Sequence, residues 1–203
     1  RGRAGRAWHS TAGASLTLSL LIRPTLPESV HIPRFTALGG LALVQTLAGD
    51  YRLESRLKWP NDVLIGGRKF CGILAETVWQ GSTPLAVILG MGVNLGRQAV
   101  PDPGGLLYPA TSLEEALGQP PDRWEVLMRL LTRIEKLREV LCEEDFIDCW
   151  NDHLAFKGKW VTLRNDQGEI GRFRLVEVCR DGMILVEKPS GDLVKLHSAE
   201  ISA

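Results

Sequence analysis

Apolar and hydroxyl-bearing residues alternate from Ser15 to Leu20, and the run then turns continuously apolar to Ile22. A period of two predicts a strand with one covered face, here entering a buried sheet near Arg23. Pro24, Pro27 and Pro33 break it. From Arg34 to Ala48 the period changes. Phe35, Leu38, Leu41, Ala42, Val44, Leu47 and Ala48 fall at helical spacing, and Gly39 and Gly40 allow close approach to a neighbour. Strand patterns follow at Ser55–Trp59, Asp62–Ile65, Lys69–Trp79 and Leu85–Asn94, with turn signals at Gly66-Gly67 and Gly81-Ser82. These predict an antiparallel meander. Residues 96–110 are rich in Gly and Pro and read as a loop.

Thr111 or Ser112, followed by Glu114 and Glu115, marks a helix start, because a side-chain oxygen can accept from the free amides of a first turn. A longer helix from Trp124 is expected to bury Leu127, Met128, Leu131, Ile134, Leu137 and Leu141. Asp145–Leu154 reads as a further short helix. Near Lys157 the texture changes to four short strand patterns, Trp160–Arg164, Glu169–Val178, Met183–Glu187 and Leu193–His197, with turn signals between them. That predicts a small β-barrel leaning on a larger unit. The expected division is 1–155 and 156–203. No internal repeat is present.

The 203 residues, 44% hydrophobic and 24% charged, can bury a core without staples. This composition excludes a disordered tail, a collagen-like fibre and a disulfide scaffold. With 24 Lys plus Arg and 24 Asp plus Glu, the formal net charge is zero. A whole-molecule electrostatic grip on nucleic acid or anionic lipid is therefore not expected, and any anion site must be a local cluster. No apolar run approaches the roughly 18 residues of a membrane span. Cys71, Cys142, Cys149 and Cys179 form no CxxC pair, so zinc spacing is missing and no metal ligand is assigned. Reduced thiols and a cytoplasmic location are expected. The chain opens Arg-Gly-Arg without Met, which reads as a piece of a longer protein.

Four clusters carry candidate chemistry. Arg1-Gly2-Arg3-Ala4-Gly5-Arg6 alternates guanidinium groups with small residues, which suits wrapping a phosphate; a flexible basic terminus fits equally well. Trp8 either anchors this loop or fills the core. Lys58-Trp59-Pro60-Asn61-Asp62 sets a Lys beside a Pro-fixed turn, and the plain alternative is an ordinary exposed turn. Lys69-Phe70-Cys71-Gly72-Ile73-Leu74-Ala75-Glu76 has a glycine that removes bulk inside a strand, unless it is a simple hairpin with a Lys at its mouth. Gly90-Met91-Gly92-Val93-Asn94 places two glycines on one strand face, a floor for a flat ligand, and it lacks the spacing of a dinucleotide fingerprint.

In this order the four clusters resemble the biotin protein ligases, and the terminal β segment resembles that family's SH3-like domain. The resemblance implies an α+β fold: a class II aminoacyl-tRNA synthetase-like catalytic domain with a mixed or antiparallel sheet, plus a small C-terminal SH3-like barrel. It implies activation of biotin with ATP and magnesium to biotinyl-5′-AMP, then transfer to a lysine of a biotin carboxyl carrier protein. By motif position, Arg1, Gly2, Arg3, Lys69, Gly72, Gly90 and Gly92 would bind biotin or the adenylate. Arg3, Lys58 and Lys69 would act in catalysis, and Asn61, Asp62, Asn94 and Arg6 would serve ATP and its magnesium. A homodimer is possible, with no nucleic acid or membrane contact through this chain. The Ser/Thr strand and Gln segment that the family places before the basic loop do not appear. The β-rich segment carries none of the four motifs, so it is expected to buttress the catalytic unit or dock the carrier. Two rival readings are a lipoate–protein ligase-like acyl-adenylate enzyme and a non-catalytic biotinyl-AMP-sensing regulator.

Overall fold

A computed structural model describes residues 2, 5, 8–101, 108–165 and 167–202. Ser15–Ile22 forms β1 as the alternation requires. Its apolar residues Leu16 and Ile22 are buried, while Thr17, Ser19 and Leu21 stay on the open side. Arg34–Tyr51 forms α1, which stops at Arg52 in a left-handed conformation (φ 54°). β2 (Ser55–Lys58), β3 (Asp62–Ile65), β4 (Arg68–Gln80) and β5 (Thr83–Asn94) complete a sheet of order β1-β5-β4-β3-β2. Every pairing in it is antiparallel.

One face of this sheet is covered by α1. A Cβ on Gly40 would lie 2.8 Å from Leu57 Cδ2 and 3.1 Å from Trp150 Cζ3, so the Gly39-Gly40 pair is what lets the helix seat. The other face is open and carries the site. α2 (Leu113–Leu117) is capped by Ser112, whose Oγ accepts from Glu115 N. α3 (Arg123–Glu139) packs beside α1 and buries Val126, Leu130 and Ile134; of the expected stripe Ile134 and Leu141 are buried and Leu127 and Leu137 are half-buried. Met128 is 60% exposed. The docking of α3 against α1 decides which of its residues are covered, and several hydrophobics, Leu127 among them, are left at the margin. α4 spans Phe146–Asp152. The segment after it covers the edge of β2, with Leu57 N donating to His153 O and Ala155 N donating to Leu57 O, both at 2.8 Å.

The C-terminal region holds five strands, not four. β6 (Trp160–Asn165), β7 (Gly168–Val178), β8 (Ile184–Glu187), β9 (Leu193–Leu196) and β10 (Glu200–Ser202) form an antiparallel sheet of order β10-β6-β7-β8-β9. The three residues of β10 are too short for a periodic signal, and pairing with β6 defines them. The two sheets share one hydrophobic core. Polar ties join them: Trp59 Nε1 donates to Gly182 O (3.0 Å), and Asn151 bonds both ways with the backbone of Val178 (2.8 and 2.9 Å).

Candidate active site

Strand register brings the motifs into rows across the open face. Thr17 pairs with Gly92, Gly92 with Gly72, Gly72 with Asp62, and Asp62 with Lys58. One row thus crosses all five strands of the first sheet. The next row, about 6.7 Å along, is Ser19–Gly90–Leu74, and the row beyond it is Leu21–Ile88–Glu76. The glycines make a trough with hydroxyls on one wall and charge at one end. Trp8 lies over its first row. A Cβ on Gly92 would come within 2.4 Å of the Trp8 ring, and one on Gly72 within 3.0 Å.

Lys69 reaches this row through a bulge. It stands three positions before Gly72, which in a regular strand puts the two on opposite faces. The β3–β4 register shifts between Val63 and Leu64, so that Leu64 opposes Lys69 and Phe70 is left out of the pairing. The extra residue turns Lys69 onto the face of Gly72. Its Nζ lies 2.6 Å from Asp62 Oδ1, and a Cβ on Gly72 would sit 3.5 Å from that Nζ. Lys58 Nζ lies 3.7 Å from Asp62 Oδ2. Lys58 and Asp62 are both buried, at 5% and 8% exposure. Burial lowers the Lys58 pKa below its ordinary value, and the Asp62 charge partly opposes this. Asp62 thus answers two ammonium groups with one charge, while Glu200 adds a weaker attraction on Lys58. Tyr108 sets its ring 4.3 Å from Lys58 Nζ, a cation–π contact.

Asn61 and Asn94 hold backbone as well as line the space. Asn61 Nδ2 donates to Ile73 O (2.7 Å) and Asn61 O accepts from Ile73 N (2.8 Å). Asn94 Nδ2 donates to Thr111 O at 3.0 Å. The trough opens into a cavity of about 860 Å³ whose walls include Gly2, Lys58, Asn61, Asp62, Lys69, Gly72, Gly90, Gly92 and Asn94. The structure therefore gathers every sequence-picked candidate it describes. Arg1, Arg3 and Arg6 lie outside the described residues, as does most of the expected phosphate loop.

Other lining residues escaped the motif reading. Thr17 and Ser19 were legible in the β1 alternation, which places both on one face. Glu76 stood in a quoted motif, but its place on the trough face depends on register. Tyr108 sat in a stretch read only as loop. Arg164, Asn165, Gly168, Glu169, Glu200, Ile201 and Ser202 also line the cavity, so the C-terminal sheet walls the site as well as buttressing it. No local signal marked them, because only the docking of the two sheets puts them there.

Fold and site together define an α+β ligand-binding domain with a flat glycine floor ending in paired lysines. The biotin/lipoate A/B protein ligase family model matches residues 1–94. A biotin–[acetyl-CoA-carboxylase] ligase from Paracoccus denitrificans is 30% identical over 210 residues, covering 99% of this chain and 85% of the relative. The bifunctional ligase/repressor BirA of Bacillus spizizenii is 32% identical over 204 residues, and the chain spans 62% of that relative's length. The structure of biotin protein ligase from Aquifex aeolicus in complex with biotin and ATP superposes with a TM-score of 0.80 at 29% identity, covering 100% of this chain and 83% of that one. The chain belongs to the biotin protein ligase family.

Proposed function

We propose that the chain activates biotin with ATP and transfers it to a carrier lysine. The observation that carries this reading is the row Lys58–Asp62–Gly72–Gly92–Thr17 with Lys69 turned onto it. A flat ring rests on glycines only where no Cβ intervenes, and its acidic tail then meets two ammonium groups. Joining a carboxylate to the α-phosphate brings two anions together, so fixed cations lower the barrier as charge develops. The carboxylate oxygen bonds to the α-phosphorus and pyrophosphate leaves; the acceptor amine then bonds to the acyl carbon and AMP leaves. Lys69 holds the carboxylate and bridging oxygen, Lys58 the phosphate charge, and Asp62 orients both lysines. Gly72, Gly90 and Gly92 seat the ring. Arg1, Gly2 and Arg3 bind the adenylate, with Arg3 also catalytic, and Arg6, Asn61 and Asn94 serve the nucleotide side.

Magnesium fits as the partner of the triphosphate and not as a protein-caged ion. Among the described residues no three His, Cys, Asp or Glu side chains cluster, and Asp62 is the carboxylate at the row's end. When bound, the ion offsets phosphate charge.

Finer assignments belong to the same reading. Residues 1–155 form a class II synthetase-like catalytic unit and 156–203 an SH3-like unit, a division supported by the separate sheets on either side of Lys157. A carrier domain is the protein partner. β1, at the edge of its sheet, offers a side for a homodimer. Four free thiols suit a cytoplasmic setting.

The test is incubation of the chain with ATP, magnesium, radiolabelled biotin and a biotin carboxyl carrier domain. Label on the carrier is expected. Adenylate without transfer would favour a sensing regulator, and label only from lipoate would favour the sister chemistry. A folded protein that forms no adenylate would sink the proposal.

A further inference from the structure

Residues 108–112 run as a strap beside the start of β4. Lys69 N donates to Pro109 O (2.7 Å) and Thr111 N donates to Lys69 O (2.9 Å), so Lys69 and Ala110 form a two-residue parallel bridge. The strap touches both lysines of the site: its backbone holds Lys69, and its first residue, Tyr108, lays its ring against Lys58. Outside the bridge, one carboxylate spans the residues next to each bridge partner. Glu115 Oε1 pairs with Arg68 Nη1 at 2.7 Å, and Glu115 Oε2 accepts from Thr111 Oγ1 at 2.9 Å. Arg68 precedes Lys69, and Thr111 follows Ala110. These two contacts hold the Glu115 carboxyl below the usual carboxylate range, Arg68 contributing most. Glu115, Arg68 and Thr111 do not line the cavity.

We infer that Glu115 is a positioning residue for the reaction, a clasp that joins Arg68 to Thr111 and so fixes the strap that sets Lys69 and Lys58. Its neighbours explain why a side chain is needed there. Asn94 grips the strap from the cavity side through Thr111 O, and Glu115 grips it from the opposite side through the Thr111 hydroxyl. Without Glu115 the bridge keeps its two amide bonds, but Arg68 and the Thr111 hydroxyl each lose a partner. The Lys69 ammonium then loses alignment with Asp62, and misalignment of this kind reduces turnover more than substrate binding.

The kinetic arm of the test rests on the biotin-activating reading; the chemical arm does not. Glu115→Ala, Glu115→Gln and Arg68→Ala are made in the full chain, with Glu125→Ala as control, since Glu125 pairs with Arg129 on α3. Pyrophosphate release is measured with biotin, ATP and magnesium. Acetylation of Lys69 by acetic anhydride is followed by peptide mass spectrometry, with exposed Lys188 as internal reference. In Glu115→Ala we expect kcat to fall about 10- to 100-fold. KM values should stay within about threefold, and Glu115→Gln, which keeps an acceptor for Thr111, should lie between. Lys69 acetylation should rise relative to Lys188, with no change in the Glu125→Ala control. Wild-type kcat in Glu115→Ala, an equal loss in Glu125→Ala, or unchanged Lys69 reactivity would each overturn the clasp. If the wild-type protein releases no pyrophosphate while Lys69 reactivity still rises in Glu115→Ala, the biotin reading fails and the clasp stands.

Discussion

Lys69 and Asp62 meet at 2.6 Å although their strand positions, counted regularly, would leave Lys69 facing the core. The bulge opposite Leu64 makes the contact and sets a cation beside the glycine floor. Lys69→Ala is therefore expected to cripple adenylate formation. Loss of a charge-assisted contact made to the transition state costs roughly 2–4 kcal/mol, or about 30- to 1000-fold in rate. Pyrophosphate release at the wild-type rate in this variant would remove Lys69 from the chemistry.

The floor itself can be tested by filling it. A Cβ at Gly92 would lie 2.4 Å from the Trp8 ring, which must move, and it would stand in the trough. Gly92→Ala is expected to weaken biotin binding by about tenfold or more, with the melting temperature lowered by the cost of displacing the Trp8 ring, about 1 kcal/mol. Isothermal titration with biotin and a thermal melt check this together. Unaltered affinity would mean that the ligand rests elsewhere.

A third expectation concerns pH and lies away from the site. Glu28 is 5% exposed and takes Arg138 Nε at 2.7 Å, with Thr25 N donating to its other oxygen. The Arg138 hydrogen bond is the largest influence holding its pKa down, to about 2 from the ordinary 4.5. A depressed carboxylate pKa stabilises the fold above the unfolded value, and that stability is lost as pH falls from about 4.5 toward 2. Glu28→Gln is expected to cost about 2 kcal/mol at neutral pH and to converge with wild type near pH 2. Urea melts at pH 7 and pH 3 read this directly. Parallel pH curves for the two proteins would contradict it.

Deletion of residues 157–203 is expected to do more than remove a docking module. Val161, Leu163, Leu175, Ile184 and Val186 are buried in the core shared by both sheets, and Asn151 and Trp59 lose their Val178 and Gly182 partners. Exposing that surface should lower the melting temperature by 10 °C or more, on the order of several kcal/mol. Adenylate formation should fall as well, because Arg164, Asn165 and Glu200 leave the cavity wall. A truncated chain that melts and biotinylates like the intact one would separate the two sheets functionally.

Much of this was written locally. Alternation in β1 fixed which hydroxyls share a face, because a pleated strand repeats every two residues. The i, i+2 spacing of Gly90 and Gly92 fixed a bare stretch on β5 for the same reason, and the Gly-rich turns fixed the meander. Other features depend on partners distant in the chain. The residues buried on α3 follow from where that helix docks, so Met128 faces solvent despite its place in the pattern. Lys69 faces the glycine floor only because pairing with β3 tolerates an extra residue, and inter-strand pairing energy leaves no mark on the period of β4 alone. The cavity wall from β6, β7 and β10 arises when two sheets bury one core between them. Local periodicity thus carries the faces of β1 and β5 and the order of the motifs, because a pleated strand repeats every two residues; packing between distant segments decides which side chains meet.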